Sequence, residues 1–197
     1  MWEKAEKALL KDKYIRPLIK KYGPCKIRPS RKKDYFTDLV DAIVSQQLSG
    51  KAARTIFERV KVGLGGQITP DNLLKTKDEK LRSWGLSRAK TLYVKDLAQR
   101  VKSGELKVRK LDKLSDEEVL RELIAVKGIG RWTAEMFLMF TLARQDVFPV
   151  DDLGITKGMK KLLNKTLSPE RNGIFAIRWK PFRTLAAWYV WEAVDNN

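Results

Sequence analysis

Between Leu120 and Leu163 the chain reads LRELIAVKGIGRWTAEMFLMFTLARQDVFPVDDLGITKGMKKLL. At its centre, Lys127-Gly128-Ile129-Gly130 interrupts a helical pattern of apolar residues that runs on both sides. Two glycines open backbone torsions closed to other residues, and a chain that is helical before and after them must turn back on itself there. The spacing predicts a tight corner between two helices, with Ile129 pointing inward. The second helix, expected over about 131–143, would present the N–H groups of its first turn at the positive end of its dipole. Two readings follow: an ordinary helical corner, or a cradle for phosphate.

The rest of the chain sorts into helices by the same kind of signal. Residues 3–22 read as two helical pieces, broken by Gly23-Pro24, and a basic linker with two prolines covers 24–34. Phe36, Leu39, Val40, Ile43 and Val44 follow i, i+3, i+4, i+7 spacing. Ala52, Ala53, Ile56, Phe57 and Val60 mark the inner face of the next helix. Thr69-Pro70 and Ser168-Pro169 are helix starts, and Ser87 can cap a helix with Ala89, Leu92, Tyr93, Leu97 and Val101 inward. Thr76 to Glu79 and Ser115 to Glu118 have capping-box spacing. The second box opens a helix with Val119, Leu120, Leu123 and Ile124 inward. A final helix is expected from about Pro181. No stretch reads as a strand, so the predicted fold class is all-α.

Side-chain inventory narrows the chemistry. There is no histidine and a single cysteine, Cys25. Histidine-based triads and metal sites are excluded, as are iron–sulfur clusters and internal disulfides. Acid–base work must come from Asp, Glu, Lys or Tyr. Subtracting 24 acidic residues from 41 basic ones leaves +17. Such a surface attracts polyanions with a salt-dependent affinity, which suits nucleic acid or a generic basic protein alike. Arg31-Lys32-Lys33 can contact phosphate or simply be solvated. The charged N-terminus lacks a signal-peptide pattern and no apolar run spans a bilayer, so a cytoplasmic, nucleoid-associated or nuclear protein without membrane attachment is expected.

Two further features stand out in the central stretch. Asp151-Asp152 opens a helix after Val147-Phe148-Pro149-Val150. Asp is a favoured cap, and a carboxylate held rigidly at a helix terminus can also stabilise an oxocarbenium-like sugar or position water against it. One of the pair is expected to do this while the other caps. Trp132, Trp188 and Trp191 fall on helices flanking the hairpin and the acids. Tryptophans on apolar helices usually fill cores, yet a cluster of them can also sandwich an unstacked base.

VKGIGRWTAEMF, FPVDDLGITKGM and RWKPFRTLAAWYVW closely resemble the helix–hairpin–helix (HhH-GPD) DNA glycosylases, and most of all their AlkA-like 3-methyladenine branch. AIVSQQLSGKAA at 42–53 extends the resemblance, which covers about 35–195. It implies two helical lobes flanking a cleft: one from 1–34 with 151–197, the other from 35–150 with the motif at about 115–143. It implies Asp152 as the catalytic aspartate, and Trp132, Met136 and Trp191 as base-pocket residues. Met136 stands where some relatives have an aromatic residue, which leaves the lesion range open. Lys127, Gly128, Ile129, Gly130 and Thr133 would hold the DNA backbone. Gln46, Gln47 and Leu48 would form the wedge that fills the gap left by a flipped base. Backbone carbonyls of Ile124, Val126 and Ile129 would be able to take a monovalent cation; no catalytic metal or cofactor is implied.

The lyase branch of that family has a lysine nucleophile where this chain has Trp132. The resemblance therefore implies a monofunctional, monomeric enzyme that removes alkylated purines such as 3-methyladenine from double-stranded DNA, initiating base excision repair. The four-cysteine cluster loop and the N-terminal β-rich domain of some relatives have no counterpart here. The rival reading is a non-catalytic DNA-binding protein built on the same hairpin.

Overall fold

The computed structural model describes residues 2–30 and 34–195. The Arg31-Lys32-Lys33 run lies outside them. Among the described residues the regular structure is helical throughout. In order the helices are α1 (Glu3–Leu9), α2 (Ile15–Tyr22), α3 (Tyr35–Ser45), α4 (Gly50–Gly63), α5 (Pro70–Lys75), α6 (Asp78–Ser83) and α7 (Arg88–Ser103). A 3-10 segment at Val108–Lys113 precedes α8 (Asp116–Ile124) and α9 (Arg131–Met136). A π-helical turn over Phe137–Thr141 follows, then α10 (Leu153–Leu163), α11 (Pro169–Ala176), a 3-10 turn at Ile177–Trp179, and α12 (Arg183–Asp195).

Local chemistry explains most of the boundaries. Thr69, Ser87, Ser115 and Ser168 each accept the N–H three residues on, and Ser115–Glu118 closes as a full capping box. The Thr76–Glu79 box does not form. The Thr76 hydroxyl donates instead to the Asn72 carbonyl at 2.7 Å, satisfying the end of α5, and α6 begins after Lys77 without a side-chain cap. The helix expected over 131–143 is α-helical only to Met136 and then widens into the π turn.

The chain divides into two compact units, 30–137 and 1–29 with 138–197. Residues 138–150 thus join the unit made from both chain ends instead of the central one. Their bonds to α12 give the reason. Arg183 grips the Asp146 carboxylate at 2.7 and 3.0 Å, and the Val147 N–H donates to the Thr184 hydroxyl at 2.9 Å. The Thr184 N–H in turn donates to the Gln145 carbonyl at 3.0 Å.

In the 30–137 unit, Phe36, Leu39, Val40, Ile43 and Val44 of α3 are all buried as expected. The inner face of α7 is rotated from its predicted position: Thr91, Val94, Leu97 and Ala98 are buried, while Leu92 is 59% exposed. Likewise α8 buries Val119 and Leu123 but leaves Ile124 exposed. The shift in α7 comes from a helix pressed to the core through Thr91 and Ala98, residues that an apolar pattern overlooks; in α8 the buried stripe is narrower than the apolar one.

In the terminal unit α12 is buried almost all round from Thr184 to Val190, as a helix apolar on every face must be. It lies so close to α10 that a Cβ on Gly158 would meet the Val190 carbonyl oxygen at 2.5 Å. The Tyr189 hydroxyl donates to the Gly23 carbonyl at 2.8 Å, and Glu6 accepts the Cys25 N–H at 2.8 Å, tying the linker down. Cys25 is buried, and desolvation pushes its thiol up to about 11, which leaves it inert as a nucleophile.

Candidate active site

The hairpin belongs to the 30–137 unit. Gly128 has φ +80°, a left-handed conformation costly for any side chain. Its Cα faces the Tyr93 ring, which a Cβ would meet at 2.1 Å. Ile129 is buried, as predicted, and its N–H donates to the Val126 carbonyl at 3.1 Å to close the turn. Gly130 caps α9 without a side-chain cap bond, and nothing lies within 4 Å of the place a Cβ would take. The chain is thus open to a ligand at Gly130, where α9 begins, the local requirement for phosphate contact. A cation on the carbonyls of Ile124, Val126 and Ile129 would be additional to the turn's own hydrogen bond, and no chemical step depends on it.

Two side chains distant in sequence, Asp96 and Gln46, bond this corner, and a third, Lys90, bonds the backbone at Gln46 and not the corner itself. Asp96 of α7 accepts the Lys127 N–H and the Arg100 guanidinium, each at 2.9 Å. Burial raises the Asp96 pKa, but these donors outweigh it and hold the carboxyl below its usual range. Gln46 donates from Nε2 to the Gly128 carbonyl at 2.8 Å and to the Thr133 hydroxyl at 3.3 Å. Lys90 of α7 donates to the carbonyls of Val44 and Gln46 at 2.8 and 2.6 Å, and burial pulls its ammonium below the ordinary lysine range.

Gln46 was expected to share a wedge with its neighbours; its side chain instead braces the hairpin. Thr133, expected at the DNA backbone, is buried and serves the same brace. Gln47 and Leu48 remain as an exposed tip, with Gln47 in the left-handed region at φ 56°. Such strain in a non-glycine residue persists only where the surroundings impose it, and it concentrates at functional positions. On α9, Trp132 is 46% exposed and Met136 half-buried. Arg131 is held to Glu135 at 3.0 Å.

The carboxylate belongs to the terminal unit. Asp152 is itself the cap of α10: its Oδ1 accepts the Ile155 N–H at 2.8 Å. The same oxygen accepts the Trp191 indole N–H at 2.8 Å. The expected division of labour, with the other acid of the pair as cap, is therefore corrected: Asp151 is exposed, and Asp152 takes both donors. Two donors on one oxygen fix the carboxylate plane before any ligand arrives. Trp191 also stacks on Phe140, with ring centroids 5.9 Å apart and planes at 29°. Phe140 is 42% exposed and was missed by the sequence analysis, although it stands four residues after Met136. Gly154 was missed as well. A Cβ there would lie 2.7 Å from the Trp191 ring and 3.0 Å from Asp152 Oδ1, so only glycine lets the indole reach the acid.

Among the described residues, no group of three or more His, Cys, Asp or Glu side chains is placed to hold a metal ion. No described helix is long and apolar enough to cross a membrane.

A glycine hairpin that opens a helix and a helix-capping aspartate fixed by an indole are the features against which known proteins can be compared. The model of the HhH-GPD superfamily of base excision DNA repair proteins matches residues 40–184. The chain belongs to that superfamily. It is 38% identical over 191 residues to DNA-3-methyladenine glycosylase 1 of Schizosaccharomyces pombe, covering 92% of this chain and 82% of that one. The solved structure of an S. pombe 3-methyladenine DNA glycosylase in complex with abasic DNA superposes with a TM-score of 0.85 at 38% identity, covering 96% and 95% of the two chains. A DNA-3-methyladenine glycosidase from Bacillus halodurans gives 0.86 at 35% identity, covering 98% and 89%. Within the superfamily match lie the hairpin, Trp132, Met136 and Asp152; Trp191 lies beyond its C-terminal limit.

Proposed function

We propose that this protein is a monofunctional DNA glycosylase that extrudes alkylated purines, 3-methyladenine among them, from double-stranded DNA and hydrolyses their bond to the sugar. The observation that carries the reading is Asp152, fixed by the Ile155 N–H and the Trp191 indole, in a chain 38% identical to a 3-methyladenine glycosylase. A protein that only grips DNA would use Asp152 as a helix cap and would not need the indole on the same oxygen.

The surplus of 17 positive charges provides a salt-sensitive hold on phosphates. The backbone at Gly128 and Gly130, between the N–H groups that Asp96 and the turn itself use, anchors the strand, and the Gln47–Leu48 tip enters the duplex. Opening the stack costs a few kcal/mol, less at a damaged base. Trp132, Met136 and Trp191 are the groups proposed to touch the extruded base; one aromatic stack contributes about 1–3 kcal/mol. An alkylated purine already carries positive charge, which indole faces attract. As the bond from C1′ breaks, its electron pair neutralises the departing base, so a chain without histidine needs no strong general acid. The Asp152 carboxylate stabilises the cation left on the sugar and aligns a water, whose oxygen bonds to C1′ as its proton leaves to the carboxylate or to solvent.

With Trp132 where a lyase has lysine, strand cleavage by the protein itself is not expected. Action as a monomer, on chromosomal DNA in the cytoplasm or nucleus, completes the proposal. The test is a panel of duplexes bearing 3-methyladenine, 7-methylguanine, hypoxanthine or ethenoadenine, with abasic products revealed by alkali. Release of alkylated purines without nicking before alkali is the expected result. DNA binding without release of any base would replace the proposal with that of a pure DNA-binding protein. A covalent adduct trapped by borohydride would restore the lyase.

A further inference from the structure

The hairpin and the tip that precedes α4 lie 82 residues apart in sequence at their joining bond, yet they form one braced unit through α7. Helix α3 ends at Ser45, and its last carbonyls have no partner within the helix. Lys90 supplies one, with its ammonium shared between the oxygens of Val44 and Gln46. This fixes the direction in which Gln46 leaves the helix. The Gln46 amide then reaches Gly128 and Thr133 across the hairpin. One turn further along α7, Tyr93 lies under Gly128; one turn beyond that, Asp96 holds the Lys127 N–H. A single face of α7 thus touches both the base of the tip and the hairpin backbone. Immediately after the bolted Gln46 comes Gln47 at φ 56°, exposed and held in the left-handed region.

We propose that Lys90 is a positioning residue for base extrusion: it holds the Gln47–Leu48 tip in register with the hairpin, so that gripping the backbone and opening the stack occur as one event. The inference rests on the glycosylase reading for its context, but its primary signal is stack opening, not catalysis. Lys90 does not touch the substrate in this account. Its ammonium is spent on protein carbonyls, and its effect passes through Gln46.

The test uses the full chain and Lys90→Met, which keeps the length of the side chain but removes its donors, with Lys90→Arg as the variant that restores them. Three measurements are made: affinity for undamaged duplex, fluorescence of 2-aminopurine beside an abasic analogue as the stack opens, and single-turnover release of 7-methylguanine. Lys90→Met is expected to bind undamaged duplex within about twofold of the parent, while fluorescence gain and release rate fall about tenfold or more, the scale of a sub-ångström to ångström misplacement. Lys90→Arg should recover most of both. On a single-stranded oligonucleotide, where no stack has to be opened, the release defect of Lys90→Met should shrink to within about threefold.

Normal stack opening in Lys90→Met would overturn the proposal. So would a loss of equal size on duplex and single strand, or a fall in melting temperature that accounts for every defect, because each marks a merely structural lysine. If the parent opens the stack but releases no base, the glycosylase reading fails alone and the fluorescence comparison still decides the role of Lys90.

Discussion

The hairpin and the carboxylate proposed to be catalytic are built on opposite plans. The hairpin works with backbone atoms, and side chains from far along the chain hold it: Asp96 bonds a residue 31 positions on, Gln46 one 82 positions on. The carboxylate works with a side chain, and its first support is local, the N–H of Ile155 three residues ahead. Trp191 then reaches it from a distance, 39 positions away. A grip on phosphates must be the same for every sequence of DNA, so it is made of peptide groups whose geometry the fold sets. A reacting centre needs one charge at one place, and a helix cap provides that with few partners. The grip should therefore fail by degrees when its braces are cut, and the chemistry should fail at once when its single acid is changed.

The largest expected effect is Asp152→Asn. Amide in place of carboxylate keeps an oxygen for the Ile155 N–H but removes the charge, and release of alkylated base should fall by at least about 10²–10³-fold, as for other losses of preorganised electrostatic stabilisation. Affinity for the same duplex, measured by anisotropy, should stay close to that of the parent; comparable turnover by the variant would end the assignment.

Next comes Trp191→Phe, which keeps an aromatic ring against Phe140 and deletes the donor to Asp152. Hydrogen bonds to charged groups contribute about 1.5–3 kcal/mol, so release should slow by roughly ten- to hundredfold with little change in substrate affinity. If KM rises instead while kcat holds, the indole serves the base and not the acid. Gly154→Ala makes the same point from the other side. Its Cβ would sit 2.7 Å from the indole, so it should reproduce the slow release without touching either partner.

Gly128→Ala addresses the grip. The left-handed φ of +80° and the overlap with Tyr93 should cost about 1–3 kcal/mol of stability, the range for a strained backbone position. Affinity for all duplexes should weaken together, damaged or not. A loss confined to damaged DNA would blur the contrast between the two regions.

The smallest effect is in pH. The Asp96 pKa is held below its usual range, so the carboxylate's bond to the Lys127 N–H adds stability that is complete above the ordinary value of about 3.9 and fades as pH falls through the lower folded value. Hydrogen exchange at the Lys127 amide should therefore lose protection only on the acid side, and Asp96→Asn should flatten that dependence.

Helix starts at Thr69, Ser87, Ser115 and Ser168, the glycine corner at 127–130 and the buried Ile129 were all legible, since each depends on residues within four positions. So was Asp152 as an acid at a helix start. Reading the acid pair as one cap and one reactive group failed because a single carboxylate oxygen can accept two donors. Leu92 and Ile124 were placed inward because apolar periodicity names a stripe, while Thr91 and Ala98 show that neighbouring helices choose which side of it is covered.

By itself the sequence determined an all-helical chain, the hairpin with its glycines, the positive surface and the absence of histidine chemistry, because short-range sterics, capping and charge act along the chain. Only the tertiary structure decided that Gln46 braces the hairpin, that Lys90 holds the start of the tip, and that Gly154 clears the way for Trp191 to reach Asp152. Those bonds join residues tens of positions apart. Their geometry comes from how helices pack, which no local pattern encodes.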